Sequence, residues 1–403
     1  MSAKTITCIG AVFSGFFIQG FCDIVGITSD YASERYGLNQ TLAGLLPLLV
    51  FIWFLFISIP IGVKMNKIGR KPMVLIGMSV TMVGMFVPLV NSWWACLIGY
   101  ALLGIGNAVM QVSQNVLLCN VLHGGRLLPS AVTAGQVVKA VSSFCGPLFV
   151  LLAIRMLGDG TKMSWYMVFP FLGAMTLVSG LWLLLSPVSK EPQSEHTSSI
   201  KTTLSMLRNP KMLMLFFAIF FVVATDVGTN FVSSKILIER YGWAVTDAGL
   251  AQQVYFVSRT VGALLGVLML AKIAPFKYFK INVVGCVLSL FVLSYFRFSS
   301  TSTLVLIGAV GFFCSCIWPV IFCTAIDLQP NRENEVAGLM ITAVAGGGII
   351  TPLLGWTADT LGTITSGMGI LVIAALYLLW CAFAYGSSRE YYFYSKEQKR
   401  IEE

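Results

Sequence analysis

The stretch Glu34-Arg35-Tyr36-Gly37-Leu38-Asn39-Gln40-Thr41-Leu42-Ala43-Gly44-Leu45 returns 205 positions later as Glu239-Arg240-Tyr241-Gly242-Trp243-Ala244-Val245-Thr246-Asp247-Ala248-Gly249-Leu250, with eight of twelve positions identical. Each copy closes one apolar run and leads into the next. The chain therefore reads as two related halves in parallel orientation, arranged about an axis along the normal of a membrane that the apolar runs cross.

Composition requires that membrane. Of 403 residues, 57% are hydrophobic and 11% charged, against about 25% charged in an ordinary soluble domain. A helix of about 20 apolar residues crosses the hydrocarbon core, where the backbone must satisfy its own hydrogen bonds. Twelve such runs occur, at 6–28, 41–63, 72–91, 93–120, 129–154, 163–186, 211–236, 246–271, 279–297, 302–327, 336–361 and 363–386. The first follows Lys4 but carries Asp23 in its outer half and has no A-x-A cleavage pattern, so it is read as a retained span. The expected fold is an all-α membrane protein, with twelve transmembrane helices in two six-helix pseudo-symmetric bundles. Residues 1–186 form the N-terminal bundle, 187–210 a polar cytoplasmic linker, 211–388 the C-terminal bundle and 389–403 a cytoplasmic tail.

When loops are assigned alternately, eighteen of the 26 Lys and Arg residues fall on one side, six on the other, and Lys139 and Arg259 within spans. The richer side is cytoplasmic and holds both termini, as in a bacterial inner-membrane protein. The formal charge of +9 thus records sidedness and offers no patch for nucleic acid. The ten cysteines lie in apolar runs without a C-x-x-C pair and read as small buried hydrophobes. No G-x-x-x-x-G-K-[ST], H-E-x-x-H or G-x-S-x-G occurs, and the two histidines, His123 and His196, lie in loops. An enzyme, a nucleotide-driven pump, a metal and a cofactor are accordingly not expected.

Four charges lie deep in spans: Asp23, Lys139, Asp226 and Arg259. Intramembrane ionisable groups are costly and mark solute or ion paths, although two acids and two bases also suffice to neutralise one another. Polar residues share their helical faces. Asn107, Gln111 and Gln114 are spaced i, i+4 and i+7 with Asn115 beside them; Asp226, Asn230 and Ser233 repeat that spacing, and Gln252, Tyr255 or Phe256, and Arg259 form a third face. Gln136 precedes Lys139, and Gln19 precedes Asp23, each by one turn. One such face is ordinary interhelical glue, but five point to a wet cavity. Amides donate and accept together, which suits sugar hydroxyls, and Trp318 with Phe322 offers flat apolar faces for a sugar ring.

Gly62-Val63-Lys64-Met65-Asn66-Lys67-Ile68-Gly69-Arg70-Lys71 resembles the G-x-x-x-D-R-x-G-R-K loop of the major facilitator superfamily, with Asn66 and Lys67 where Asp and Arg usually stand. Within that superfamily the chain is similar over nearly its whole length to the fucose permease branch of sugar:proton symporters. The likeness is carried by Gly20-Phe21-Cys22-Asp23, Gly104-Ile105-Gly106-Asn107 on through Gln111 to Asn115, Ala134-Gly135-Gln136, Trp318-Pro319-Val320-Ile321-Phe322, and Gly346-Gly347-Gly348-Ile349-Ile350-Thr351-Pro352 with Gly355 and Asp359. It implies the major facilitator fold, alternating access, and uptake of a monosaccharide with a proton. The family's acid in span 1 lies about one turn deeper than Asp23, on the same face, and its glutamate in span 4 aligns with Gln111, which cannot titrate. Proton coupling then falls to Asp23 or Asp226.

The candidate substrate-binding residues are Gln19, Asn107, Gln111, Asn115, Gln136, Lys139, Asn230, Tyr255, Arg259, Trp318 and Phe322. Asn66, Gly69, Arg70 and Lys71 are the candidate gate, since Gly69 permits a tight turn and the bases can pair with carboxylates or helix C-terminal carbonyls. Lys139 has a carboxylate partner either from the protein, Asp23 or Asp226, or from an acidic solute. Amides suited to neutral hydroxyls favour the protein partner. The expected function is proton-driven import of a monosaccharide or close derivative by a monomer in the lipid bilayer. The alternatives are a sugar uniporter, a symporter of uronates or sialates, and a drug exporter on the same fold, the last requiring a larger, more aromatic and less amide-lined cavity.

Overall fold

The computed structural model describes residues 3–121, 128–160, 162–188, 199–270, 273–329 and 332–386. Residues 189–198 of the polar linker, the tail (389–403), His123 and His196 lie outside them. Among the described residues twelve helices are long and apolar enough to cross a membrane: Thr7–Tyr36, Gln40–Ile68, Arg70–Val90, Trp93–Leu118, Ala131–Met156, Ser164–Leu185, Pro210–Tyr241, Asp247–Leu270, Pro275–Tyr295, Ser300–Leu328, Glu333–Leu361 and Ile364–Ala384. They are numbered spans 1 to 12 below. The described part of the linker holds a short helix, Ile200–Ser205, capped by Ser199.

Spans 1, 2 and 7 run on past the ends read from hydropathy, at 28, 63 and 236, to Tyr36, Ile68 and Tyr241. Helix continuity depends on backbone hydrogen bonds and not on apolar side chains, so the first charged residues end the hydropathic signal and not the helix. The repeated Tyr-Gly is where two of these helices stop. Gly37 and Gly242 both take left-handed backbone angles, with φ of 63° and 68°, as caps after Tyr36 and Tyr241. Asn39 then opens span 2 by accepting the Leu42 N–H at 2.8 Å.

Three spans are broken at mid-depth. Span 1 passes through a tight 3-10 turn at Gly20–Ile24, and span 11 through another at Ala343–Ala345. Span 10 pauses between Cys314 and Ile317. Pro319 accounts for that pause, because it donates no N–H and its ring crowds the carbonyl four residues back, at Ser315. The triple glycine of span 11 admits close neighbours. A β-carbon on Gly346 would lie 2.4 Å from the Phe220 carbonyl of span 7, and one on Gly348 would lie 2.8 Å from Phe51 of span 2.

Spans 1–6 and 7–12 form the two bundles. Spans 2 and 11 pack along their length, as do spans 5 and 8, which is the same contact repeated by the pseudo-symmetry. The outer surface is apolar, with Val178, Val305 and Ile373 each about two-thirds exposed, while the polar and charged side chains turn inward.

Candidate functional site

The broken turn of span 1 places Asp23 at the junction of the halves. From span 8, Arg259 donates to Asp226 of span 7 at 2.8 Å and reaches Asp23 at 3.9 Å. Asp226 also accepts the Tyr255 hydroxyl, and Asp23 accepts Ser143 of span 5 at 2.6 Å. One guanidinium therefore joins an acid of its own half to an acid of the other. Tyr255 and Arg259 share a face of span 8 because they are spaced i, i+4. Asp23, Asp226, Asn230, Phe256 and Arg259, with Gly26, Pro47 and Phe51, line a narrow central space with room for about one water molecule. The Asn230 side-chain oxygen is buried there without a hydrogen-bond partner.

The other candidates are placed differently. Asn107 donates to the Gln19 carbonyl at 2.9 Å, Gln111 to Asn107 at 2.8 Å, and Asn115 to the Gln111 carbonyl at 2.7 Å. Gln19 donates to Gln114 at 3.0 Å, and Gln114 to the Val12 carbonyl. In this closed form Asn107 and Gln114 bind span 1, Gln111 and Asn115 bond within span 4, and none of the four lines the central space. Trp318 and Phe322 stack on one another, with ring centroids 4.9 Å apart. Gln136 is half-buried on span 5. Lys139 corrects the favoured expectation, since its ammonium pairs with neither Asp23 nor Asp226; Arg259 holds that position instead.

Contacts close the space from both faces. On the face bearing the two repeats, Lys235 of span 7 binds Asp30 of span 1 at 2.7 Å, and Ser234 donates to the same carboxylate at 3.1 Å. Beside them Thr41 binds Asp359 of span 11 through its amide, at 3.0 Å, and its hydroxyl. On the opposite face Arg70 reaches Glu333 at 3.0 Å and Asn334 at 2.9 Å, and Asn334 donates to Asn66. Lys71 instead donates to the Leu184 and Ser186 carbonyls at the end of span 6, inside its own half. Gly69, with φ of 95°, makes the turn that presents these bases. A β-carbon on Gly62 would lie 2.5 Å from the Asn334 carbonyl, so spans 2 and 11 touch by backbone there.

Sequence reasoning missed Asp30, Lys235, Glu333 and Asn334. For the first two a signal was present: the repeat offset carries Asp30 onto Lys235, opposite charges at equivalent positions.

Comparison with known proteins agrees with this architecture. The sequence profile of the Major Facilitator Superfamily matches residues 8–352. A glucose/galactose transporter of Brucella abortus is 23% identical over 365 residues, covering 86% of each chain. A putative glucose/galactose transporter of Helicobacter pylori is 24% identical over 408 residues, covering 93% of this chain and 95% of its own. Among solved structures, the E. coli fucose:proton symporter superposes with a TM-score of 0.74 at 18% identity, over 94% of this chain and 98% of that one.

Proposed function

The chain belongs to the major facilitator superfamily of membrane transporters, and from that premise we propose that it imports a monosaccharide or close derivative with protons by alternating access. The observation that carries the reading is the link from Asp226 through Arg259 to Asp23, one charge shared between two halves that must part for a solute to enter. The sugar class is supported by the names of the Brucella and Helicobacter relatives. Asp23 is the coupling acid. It is the more distant of the two carboxylates from Arg259, at 3.9 Å against 2.8 Å, so its protonation gives up the weaker contact and leaves Arg259 with its own half. Asp226 anchors the guanidinium, and Tyr255 anchors Asp226.

As the halves part, Asn230 and Arg259 face the solute first. Gln19, Asn107, Gln111 and Asn115 exchange bonds made within the N-terminal bundle for bonds to hydroxyls, Gln136 adds one more, and Trp318 and Phe322 unstack to take a ring. The Lys and Arg bias supports a cytoplasmic side, in a bacterial inner membrane, for both termini and for the gate of Asn66, Gly69, Arg70 and Lys71. Both acids and the bridging base come from one chain, which supports a working monomer. Reconstituted into liposomes with an imposed pH gradient, Asp23→Asn abolishes uphill accumulation of labelled sugar and spares counterflow exchange. Undiminished uphill transport in that variant overturns the assignment.

A further inference from the structure

Of the four deep charges, Lys139 alone has no side-chain hydrogen bond or ion pair among the described residues. Asp226 is taken by Arg259 and Tyr255, and Asp23 by Ser143 and, more distantly, Arg259. Lys139 is nonetheless only 9% exposed. A lysine this enclosed that makes no direct ion pair is poised to take one from an anion that arrives. The lysine stands behind the lining of the central space. It lies one helical turn from Ser143, on the same face of span 5, and Ser143 touches Asp23 at the lining of the central space.

Charge balance then limits the cargo. With both acids ionised, Asp23, Asp226, Lys139 and Arg259 sum to zero. A proton on Asp23 leaves one positive charge in a nearly dry centre. A neutral hexose leaves that charge unbalanced as the carrier reorients, and a doubly ionised sugar phosphate overshoots it. One carboxylate cancels it. We propose that Lys139 receives the carboxylate of a singly charged sugar acid, which enters with one proton on Asp23, so that the loaded carrier reorients electrically neutral. The inference rests on the reading of the chain as a proton-coupled sugar carrier, and makes Lys139 its specificity-determining residue.

The test uses the full chain in proteoliposomes on a solid-supported membrane, with glucuronate, galacturonate, glucose, galactose and glucose 6-phosphate as probes. Each uronate is expected to compete about tenfold to a hundredfold better than its hexose, the range for a hydrogen bond to a charged group. Its uptake should carry protons but no net current. Lys139→Gln should erase the preference, and Lys139→Arg should keep it. Hexoses preferred by the wild type and entering with inward current overturn the sugar-acid assignment while leaving proton-coupled sugar import standing. Preference for the phosphate, or a preference for uronates that survives Lys139→Gln, also overturns it. If Lys139→Gln does not fold, the wild-type current decides, since current with a uronate sinks the proposal. Failure of every sugar to enter with protons removes the proposed function itself.

Discussion

On the face bearing the repeats, Asp30 and Lys235 meet at 2.7 Å with side chains only 10% and 8% exposed. On the opposite face Arg70 is equally enclosed, but its partner Glu333 is 39% exposed, and the contact is completed by the amides of Asn66 and Asn334 and by two glycines. Both closures join spans of opposite halves, yet they resist opening for different reasons. Removing one member of a buried pair strands the other as an uncompensated charge, whereas a carboxylate open to water is rehydrated with little loss. The repeat-bearing face is thus held by charge, and the other by backbone fit with a soft ionic margin.

The largest expected effect breaks the first closure. Lys235→Met leaves Asp30 without its counter-charge, with only the Ser234 hydroxyl still donating to it, and should weaken the closed form by about 3–5 kcal/mol. Hydrogen exchange in residues 29–36 and 234–241 should accelerate accordingly. Because the two positions are equivalent in the two halves, the double variant Asp30→Lys with Lys235→Asp should restore slow exchange; failure of the swap would mean that the geometry is not symmetric at the axis.

A medium effect tests the second closure as a backbone contact. A β-carbon on Gly338 would lie 2.7 Å from the Ser58 carbonyl. Gly338→Val should therefore force spans 2 and 11 apart at a cost of about 1–3 kcal/mol. Faster exchange confined to residues 58–68 and 333–342 is the expected signature, and unchanged exchange there would show that the glycines do not set the approach.

The smallest effect concerns Glu333. Glu333→Gln should cost at most about 1 kcal/mol, as expected of a partly solvated pair. That loss should shrink further between low and about 1 M salt, where charges are screened within about 3 Å. The Lys235→Met effect should be nearly independent of salt. A Glu333→Gln effect as large and as salt-insensitive would erase the distinction between the two faces.

Parts of this arrangement were legible before any fold was known. Asp23, Asp226 and Arg259 stood out as charges in apolar runs, where few roles are affordable. The spacing of Asn107, Gln111 and Gln114 announced one polar face, but periodicity does not say what that face meets, and here Asn107 and Gln114 meet the backbone of span 1 while Gln111 bonds within span 4. The breaks in spans 1, 10 and 11 left weak traces in Gly20, Pro319 and Gly346, residues that permit a distortion without requiring it.

By itself the sequence determined twelve helices and two equivalent halves, because lipid leaves an apolar run of that length one good hydrogen-bonding solution and because a shared segment carries its topology with it. It also fixed which residues could not face lipid. What the tertiary structure decided is who meets whom. Equivalence under a repeat says that Asp30 and Lys235 occupy matching places, but matching places touch only where they lie on the axis itself, and the packing of the two bundles chooses which residues those are. The same packing gave both acids to Arg259 and neither to Lys139, since a distance of a few ångströms between helices is a property of the assembled halves and of no single span.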